Sequence, residues 1–197
     1  MGLVLGAFAY ARLGPPRATP PARSLPVLGT VTGFALTNQL GQPMTADDLR
    51  GAPWLANIIF TRCPGPCQRV TTNLRELQKR LPRDSNLRIV SLTADPAFDT
   101  PTVLQRYAQR FGGDPRRWQF LTGPQSRIYE LAARQLLLSV TENPDPTNAA
   151  PADLFIHSTK VVLVDGQGRL RAIYDGEAAA TRKLILADVA ALAREGG

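Results

Sequence analysis

The stretch Cys63-Pro64-Gly65-Pro66-Cys67 holds the only two thiols of this chain. Two cysteines within five residues form no structural framework, because a bridge between them would constrain little of the unfolded chain. Their types and spacing point instead to redox exchange or to metal ligation. Cys-x3-Cys is one residue wider than the Cys-x-x-Cys of dithiol oxidoreductases. The wider loop still allows a disulfide to close, and it also lets two sulfurs splay around one ion. Pro64 and Pro66 stiffen it, because proline fixes φ. Gly65 admits backbone conformations that a side chain would resist.

The flanking residues say where such a loop sits. Trp54-Leu55-Ala56-Asn57-Ile58-Ile59-Phe60 is an apolar run of strand length. After Cys67, the residues Val70, Leu74, Leu77 and Leu81 fall on one face of a helix. The thiols therefore occupy a strand-to-helix junction, the end of an open α/β sheet where ligands bind. A helix start favours negative charge, so it lowers a thiol pKa and supplies thiolate at neutral pH.

A third donor is available. The single histidine, His157, lies in Asp153-Leu154-Phe155-Ile156-His157-Ser158, ninety residues after Cys67 and just before the apolar run Val161-Val162-Leu163-Val164. A lone histidine is more often a packing or surface residue. At the mouth of a strand, however, it can reach a site at another strand's end. Two thiolates and one imidazole form a soft, three-coordinate set that suits Cu(I) and Cu(II), and that could hold Zn(II) with one position open.

Together with further landmarks in order along the chain, these residues resemble the Sco/SenC family. The landmarks are Leu25-Pro26-Val27-Leu28-Gly29, Phe60 to Cys67, Asp95-Pro96 with Asp99-Thr100-Pro101, Trp118 to Gly123, His157-Ser158-Thr159 and Leu163-Val164-Asp165. The resemblance covers about residues 26 to 195 and implies a membrane-tethered copper chaperone with a thioredoxin-like fold. It implies copper ligation by Cys63, Cys67 and His157, and delivery of copper to a cytochrome oxidase copper subunit during assembly. Where the family often has an acidic residue before the histidine, this chain has Ile156. Asp153 is the nearest carboxylate upstream, so a supporting role for a carboxylate is left open.

A second reading needs only the thiols. In a thiol–disulfide oxidoreductase Cys63 would be the nucleophile and Cys67 would resolve the mixed disulfide, reducing the copper-ligand cysteines of a partner. A thiol peroxidase fits poorly, because of the residues ahead of each cysteine. Its Pro-x-x-x-Thr-x-x-Cys pattern would require Pro and Thr where Ala56 and Phe60 precede Cys63, and where Phe60 and Pro64 precede Cys67. A zinc hydrolase lacks an evident general base beside the three donors. Met44 and Met1 read as packing and terminal residues rather than ligands.

A net charge of +7 and a pI of about 10.1 raise nucleic acid as a partner. The basic residues are nevertheless dispersed, with no run of more than two and no recognisable nucleic-acid motif, so a solvated basic surface is the better reading. That charge also suits an acidic partner or an anionic membrane surface. The uncharged, mostly apolar residues 2–11 are too short to span a bilayer, which takes about 20. Two readings remain, the end of a membrane anchor or a short interfacial or disordered start; the family resemblance favours an anchor over residues 1–12, with the domain in the periplasm or an equivalent space. The proline-rich residues 13–25 are expected to be a semi-rigid linker. Residues 26–197 are then the copper-binding domain.

Along that domain a β-hairpin is expected between Val31 and Leu49, turning at Gln39 to Gln42. Leu87 to Leu92 and Trp118 to Leu121 read as further strands. Thr100 as N-cap, Pro101 at the first helical position and Gly112-Gly113 as the stop bound a helix with Leu104, Tyr107 and Phe111 inward. Turn and cap chemistry suffices to explain Asp95 and Asp99. Pro124 to Leu136 reads as a third helix, Leu136 to Val140 as a short strand, and Glu142 to Pro151 as a flexible loop carrying His157 on a mobile arm. Lys160 to Asp165 and Leu170 to Tyr174 form a hairpin, and Thr181 to Arg194 a closing helix. The order predicts an α/β thioredoxin-like sandwich with an N-terminal β-hairpin extension.

Overall fold

The computed structural model describes residues 24–145, 147, 150 and 154–195. The expected anchor, the linker up to residue 23, Met1 and Asp153 lie outside the described residues. Among the described residues no helix is long and apolar enough to cross a membrane.

The chain begins with β1 (Gly29–Thr30), β2 (Ala35–Asn38) and β3 (Pro43–Thr45), followed by a 3-10 turn at Asp47–Leu49. Strand β4 (Trp54–Ile59) leads to α1 (Pro66–Gln78), β5 (Arg88–Thr93) to α2 (Pro101–Phe111), and β6 (Trp118–Thr122) to α3 (Gln125–Tyr129) with a π turn at Glu130–Gln135. Then come β7 (Val140–Glu142), β8 (Phe155–His157), β9 (Lys160–Val164), β10 (Arg169–Asp175) and α4 (Thr181–Glu195). The main sheet has eight strands in the order β1-β10-β9-β4-β5-β6-β2-β3, and β7 and β8 pair separately. β4, β5 and β6 run parallel, and β9 is antiparallel to β4. This is the expected thioredoxin-like sandwich.

Strand β4 is buried along its whole length, as a continuous apolar run in the middle of a sheet must be. Its register with β5 is reinforced by polar side chains. Ser91 Oγ donates to Asn57 Oδ1 at 2.7 Å, and Trp118 Nε1 donates to Ser91 Oγ at 2.9 Å, linking β4, β5 and β6. Val70, Leu74 and Leu77 of α1 are buried against the sheet, with Leu81 packed beyond them. In α2 the Thr100 side chain accepts from Val103 N, and Gly112 at φ 66° ends the helix in the left-handed region that glycine adopts freely. The β2–β3 hairpin turns where expected, with Gly41 at φ 76°. It joins the β6 edge of the sheet, while β1 pairs with β10 at the opposite edge.

Two expectations are corrected. The third helix is regular only to Tyr129 and then widens into a π turn, in which Leu136 N donates to the Leu131 carbonyl at 2.9 Å. The apolar run Leu136 to Val140 is therefore not a strand. Leu138 N is drawn back to the Ala132 carbonyl and Leu137 has φ 56°, which breaks the extended backbone, so pairing starts only at Val140. The wide turn leaves Leu131, Ala132, Leu136 and Leu138 all buried. Burial here outweighs the helical period read from the sequence.

Candidate metal centre

The sheet places both cysteines where the sequence put them. Phe60 ends the β4 run, and the Cys63 N–H donates to the Phe60 carbonyl at 3.2 Å, which turns the chain. Gly65 is the N-cap of α1, Pro66 its first residue and Cys67 its second. No acidic residue stands in that first turn, so the helix N-terminus faces the sulfurs without a competing carboxylate. Gln68 Nε2 donates to the Cys63 carbonyl at 3.3 Å, and Thr71 Oγ1 to the Cys67 carbonyl at 2.7 Å.

His157 is the last residue of β8, which pairs with β7 so that Val140 lies opposite His157. It is thus carried by a strand and not by a free arm. Its ring stands edge-on to Phe60, with centroids 5.5 Å apart and planes at 88°. Phe155 packs on the same Phe60 ring at 5.2 Å. The Nδ1 atom lies 3.0 Å from the Ser158 carbonyl. A carbonyl only accepts, so Nδ1 donates to it and Nε2 is the ring nitrogen left to face the thiols. Nε2 lies 3.1 Å from Cys67 Sγ. Outer hydrogen bonds of this kind set which nitrogen of a histidine can ligate a metal.

Cys63 and Cys67 are both free thiols, and with His157 their donor atoms all lie within 4.8 Å of one another. This is the one group of three or more such side chains among the described residues that could hold an ion. Cys63 and Cys67 are 2% and 1% exposed, so the set is shielded, with the half-buried His157 at its outer side. The two thiols share their protons unequally. The hydrogen bond from Cys67, aided by His157 and by the backbone N–H groups of Cys67 and Gly65, holds Cys63 at a pKa of about 4 against the cost of burial. The bond to Cys63 and burial push the Cys67 thiol far up. The pair therefore gives up one proton readily and keeps the other.

Several residues behind the centre were not legible as parts of it. Asp99 does not cap α2; Thr100 does. The buried Asp99 carboxylate instead accepts from Thr61 N at 3.1 Å, from Thr61 Oγ1 and, at 2.5 Å, from Thr93 Oγ1. It anchors the first residues of the cysteine loop to β5. Burial pushes its carboxyl above the usual range, against the pull of those donors. Asp95 pairs with Arg62 at 2.5 Å, and the Arg62 guanidinium lies 4.4 Å from the centre of the exposed Phe98 ring. On the histidine side, Gly176 N donates to the Thr159 carbonyl at 3.1 Å, and a Cβ at Gly176 would meet that oxygen, Val161 and Val70. The Asp-Pro-x-x-Asp-Thr-Pro signature around Asp95 and Asp99 was visible in the sequence, but not its reach back to Thr61.

The comparisons with known proteins bear on the fold and the family. The family model described as SCO1/SenC matches residues 26–194. A SCO1/SenC family lipoprotein from Bacillus anthracis str. Ames superposes with a TM-score of 0.75 at 29% identity, over 84% of this chain and 95% of that one. BsSco, described as a member of the Sco family of cytochrome c oxidase assembly proteins with a disulfide switch, superposes at 0.74 and 30% identity, over 86% and 98%. Bradyrhizobium japonicum ScoI, solved with copper bound, superposes at 0.63 and 25% identity, over 77% and 96%. With the fold, the order of its motifs and the match over residues 26–194 in agreement, this chain belongs to the SCO1/SenC family.

Proposed function

We propose that the protein binds one copper ion through the Cys63 and Cys67 thiolates and His157 Nε2, and delivers it to the copper-bearing subunit of a cytochrome oxidase during assembly. The observation that carries this reading is the convergence of the three donor atoms within 4.8 Å, with Nδ1 of the histidine already committed to a carbonyl. Two sulfurs and an imidazole favour copper over harder divalent ions. The copper held by the Bradyrhizobium relative and the assembly role named for BsSco support the cargo and its destination. Three protein donors leave coordination room for an incoming ligand, so a partner's thiolate can displace them one at a time. Since both sulfurs are covered, transfer requires the loop or His157 to move aside. Residues 1–12 tether the domain to the membrane on its periplasmic or equivalent face and residues 13–25 space it off. The lipoprotein description of the Bacillus anthracis relative is in keeping with a tether.

The test is an anaerobic copper titration of the reduced protein against a competing chelator, beside His157→Ala and the double variant Cys63→Ser/Cys67→Ser. One tight equivalent is expected, weakened without His157 and lost in the double variant. Binding that ignores all three residues would overturn the reading.

A second reading has its own observation, a thiolate at Cys63 beside a protonated Cys67. The Cys63 thiolate would attack a partner's disulfide, releasing one partner thiolate and forming a mixed disulfide. Cys67, losing its proton, would then displace the second partner sulfur and leave a Cys63–Cys67 disulfide. A partner's copper-ligand cysteines would be reduced in this way. His157 is not needed for this, so a His157→Ala variant that keeps reductase activity while losing copper separates the two readings.

A further inference from the structure

At the end of the domain opposite the cysteines lies a cleft of about 650 Å³. It is bounded by the α1–β5 connection, which gives Arg83, by Arg88 at the start of β5, and by the α2–β6 connection, which gives Asp114, Arg116 and Arg117. Both connections meet the N-terminal ends of the parallel strands, whereas Cys63 and Cys67 follow the C-terminal end of β4.

Four guanidinium groups here face one carboxylate. Asp114 is already committed to Arg116 at 3.2 Å. Arg117 donates from Nη1 to the Pro82 carbonyl at 3.3 Å and from Nη2 to the Arg83 carbonyl. Arg88 Nη1 donates to the Asp48 carbonyl. These contacts hold Arg88 and Arg117 in position, while the carboxylates of Asp48 and Asp114 offset part of their charge. The Asp48 carboxylate near Arg88 accepts from Thr45, and Asp84 is exposed on the same connection but does not line the cleft. Guanidinium groups fixed around a concavity, with charge left over, match the geometry and charge of phosphate oxygens.

The position of the cleft indicates which phosphate. Leu25 N donates to Glu195 in the last turn of α4 at 3.0 Å, and Arg171 holds the carbonyls of Leu25 and Pro26. Glu195 lines a neighbouring concavity with Asn86, which also lines the cleft, so the described chain enters the domain at this same end. We propose that the cleft docks the phosphate headgroups of anionic phospholipids, so that the domain rests on the bilayer with its metal centre directed away from it. The inference rests on the reading of residues 1–12 as a membrane tether. The overall charge of +7 supplies long-range attraction, and the cleft supplies the place of contact.

The full chain would be sedimented with phosphatidylcholine vesicles, with and without phosphatidylglycerol. Phosphatidylglycerol is expected to raise the affinity. Arg83→Gln/Arg116→Gln should lose about thirtyfold of that gain, as two charges at a membrane surface would. Arg106→Gln/Arg134→Gln, which removes the same charge from exposed positions elsewhere, should retain it. Equal losses in the two variants would mean that net charge alone acts and would overturn the cleft. So would the absence of any gain from phosphatidylglycerol, including the case where inorganic phosphate binds the cleft and lipid does not. Binding to neutral vesicles reports the tether separately. If it is absent while the cleft-dependent gain persists, the tether reading falls and the docking site stands.

Discussion

His157 Nε2 lies 3.1 Å from Cys67 Sγ, although ninety residues separate the two in the chain. The contact depends on two supports from different parts of the fold. The first turn of α1 presents the sulfur, and the β7–β8 pair with Phe60 beneath it presents the ring.

The reduced, metal-free protein should show a pH dependence owed to its thiols. An unfolded thiol titrates near pH 8.5, whereas folded Cys63 is held at about 4. Between those values the unfolded chain carries a proton that folded Cys63 has lost. Stability therefore rises with pH across the window and falls away as pH drops through about 4. Above about pH 8.5 the sign reverses, because unfolded Cys67 ionises while the folded thiol, pushed up, keeps its proton. Urea midpoints measured from pH 4 to 10 should peak near pH 8.5, and Cys63→Ala should flatten the acid side. An unchanged slope in that variant would show that another group sets it.

Asp99→Ala should destabilise the domain by about 1–3 kcal/mol, the cost of leaving buried donors without an acceptor. Those donors are Thr61 N, Thr61 Oγ1 and Thr93 Oγ1. Because Thr61 opens the cysteine loop, copper affinity should drop as well. Denaturant unfolding and chelator competition read the two effects. A loss of stability with unaltered affinity would confine Asp99 to the fold.

Gly176→Ala places a methyl group against the Thr159 carbonyl, with Val161 and Val70 at 3.0 and 3.1 Å. Backbone must shift, at a cost of about 1–3 kcal/mol. The shift falls two residues after His157, so copper affinity should approach that of His157→Ala. Thermal unfolding and copper titration check both, and full affinity would mean that the histidine is positioned by β7 and Phe60 alone.

Arg62→Ala removes an ion pair with Asp95 and a guanidinium contact with Phe98. The Arg62 side chain is 39% exposed, so solvent screens the pair and the loss of stability should stay below about 1 kcal/mol. A larger loss in a double-mutant cycle with Asp95→Ala would show that the pair acts as a buried one.

Oxidation of the two free thiols to a Cys63–Cys67 disulfide, with loss of two protons and two electrons, removes both thiolate donors. Copper binding should vanish on treatment with a thiol oxidant and return with a dithiol reductant. Persistent tight binding by the oxidised protein would contradict sulfur ligation.

Much of the fold was legible because its signals are local. The apolar run of β4, the α1 stripe of Val70, Leu74 and Leu77, the Thr100-Pro101 start and the Gly112 stop each depend on neighbours within a few residues. The run from Leu136 to Val140 misled for the same reason. Its composition reads as a strand, and only the carbonyls of Leu131 and Ala132, reached through a π turn, hold it out of the extended form.

Composition narrowed the candidate donors. With two cysteines and one histidine in the chain, a soft three-donor site had only Cys63, Cys67 and His157 to draw on, and their spacing and family motifs named the chemistry. The tertiary structure decided the rest. It buried both sulfurs, committed Nδ1 to the Ser158 carbonyl, divided the protons between the thiols, and turned Asp99 from a supposed turn residue into the anchor of Thr61. Hydrogen bonds, burial and proton sharing depend on which groups meet at one point in space. That meeting is set by the order of strands in the sheet, a long-range property that spacing along the chain does not encode.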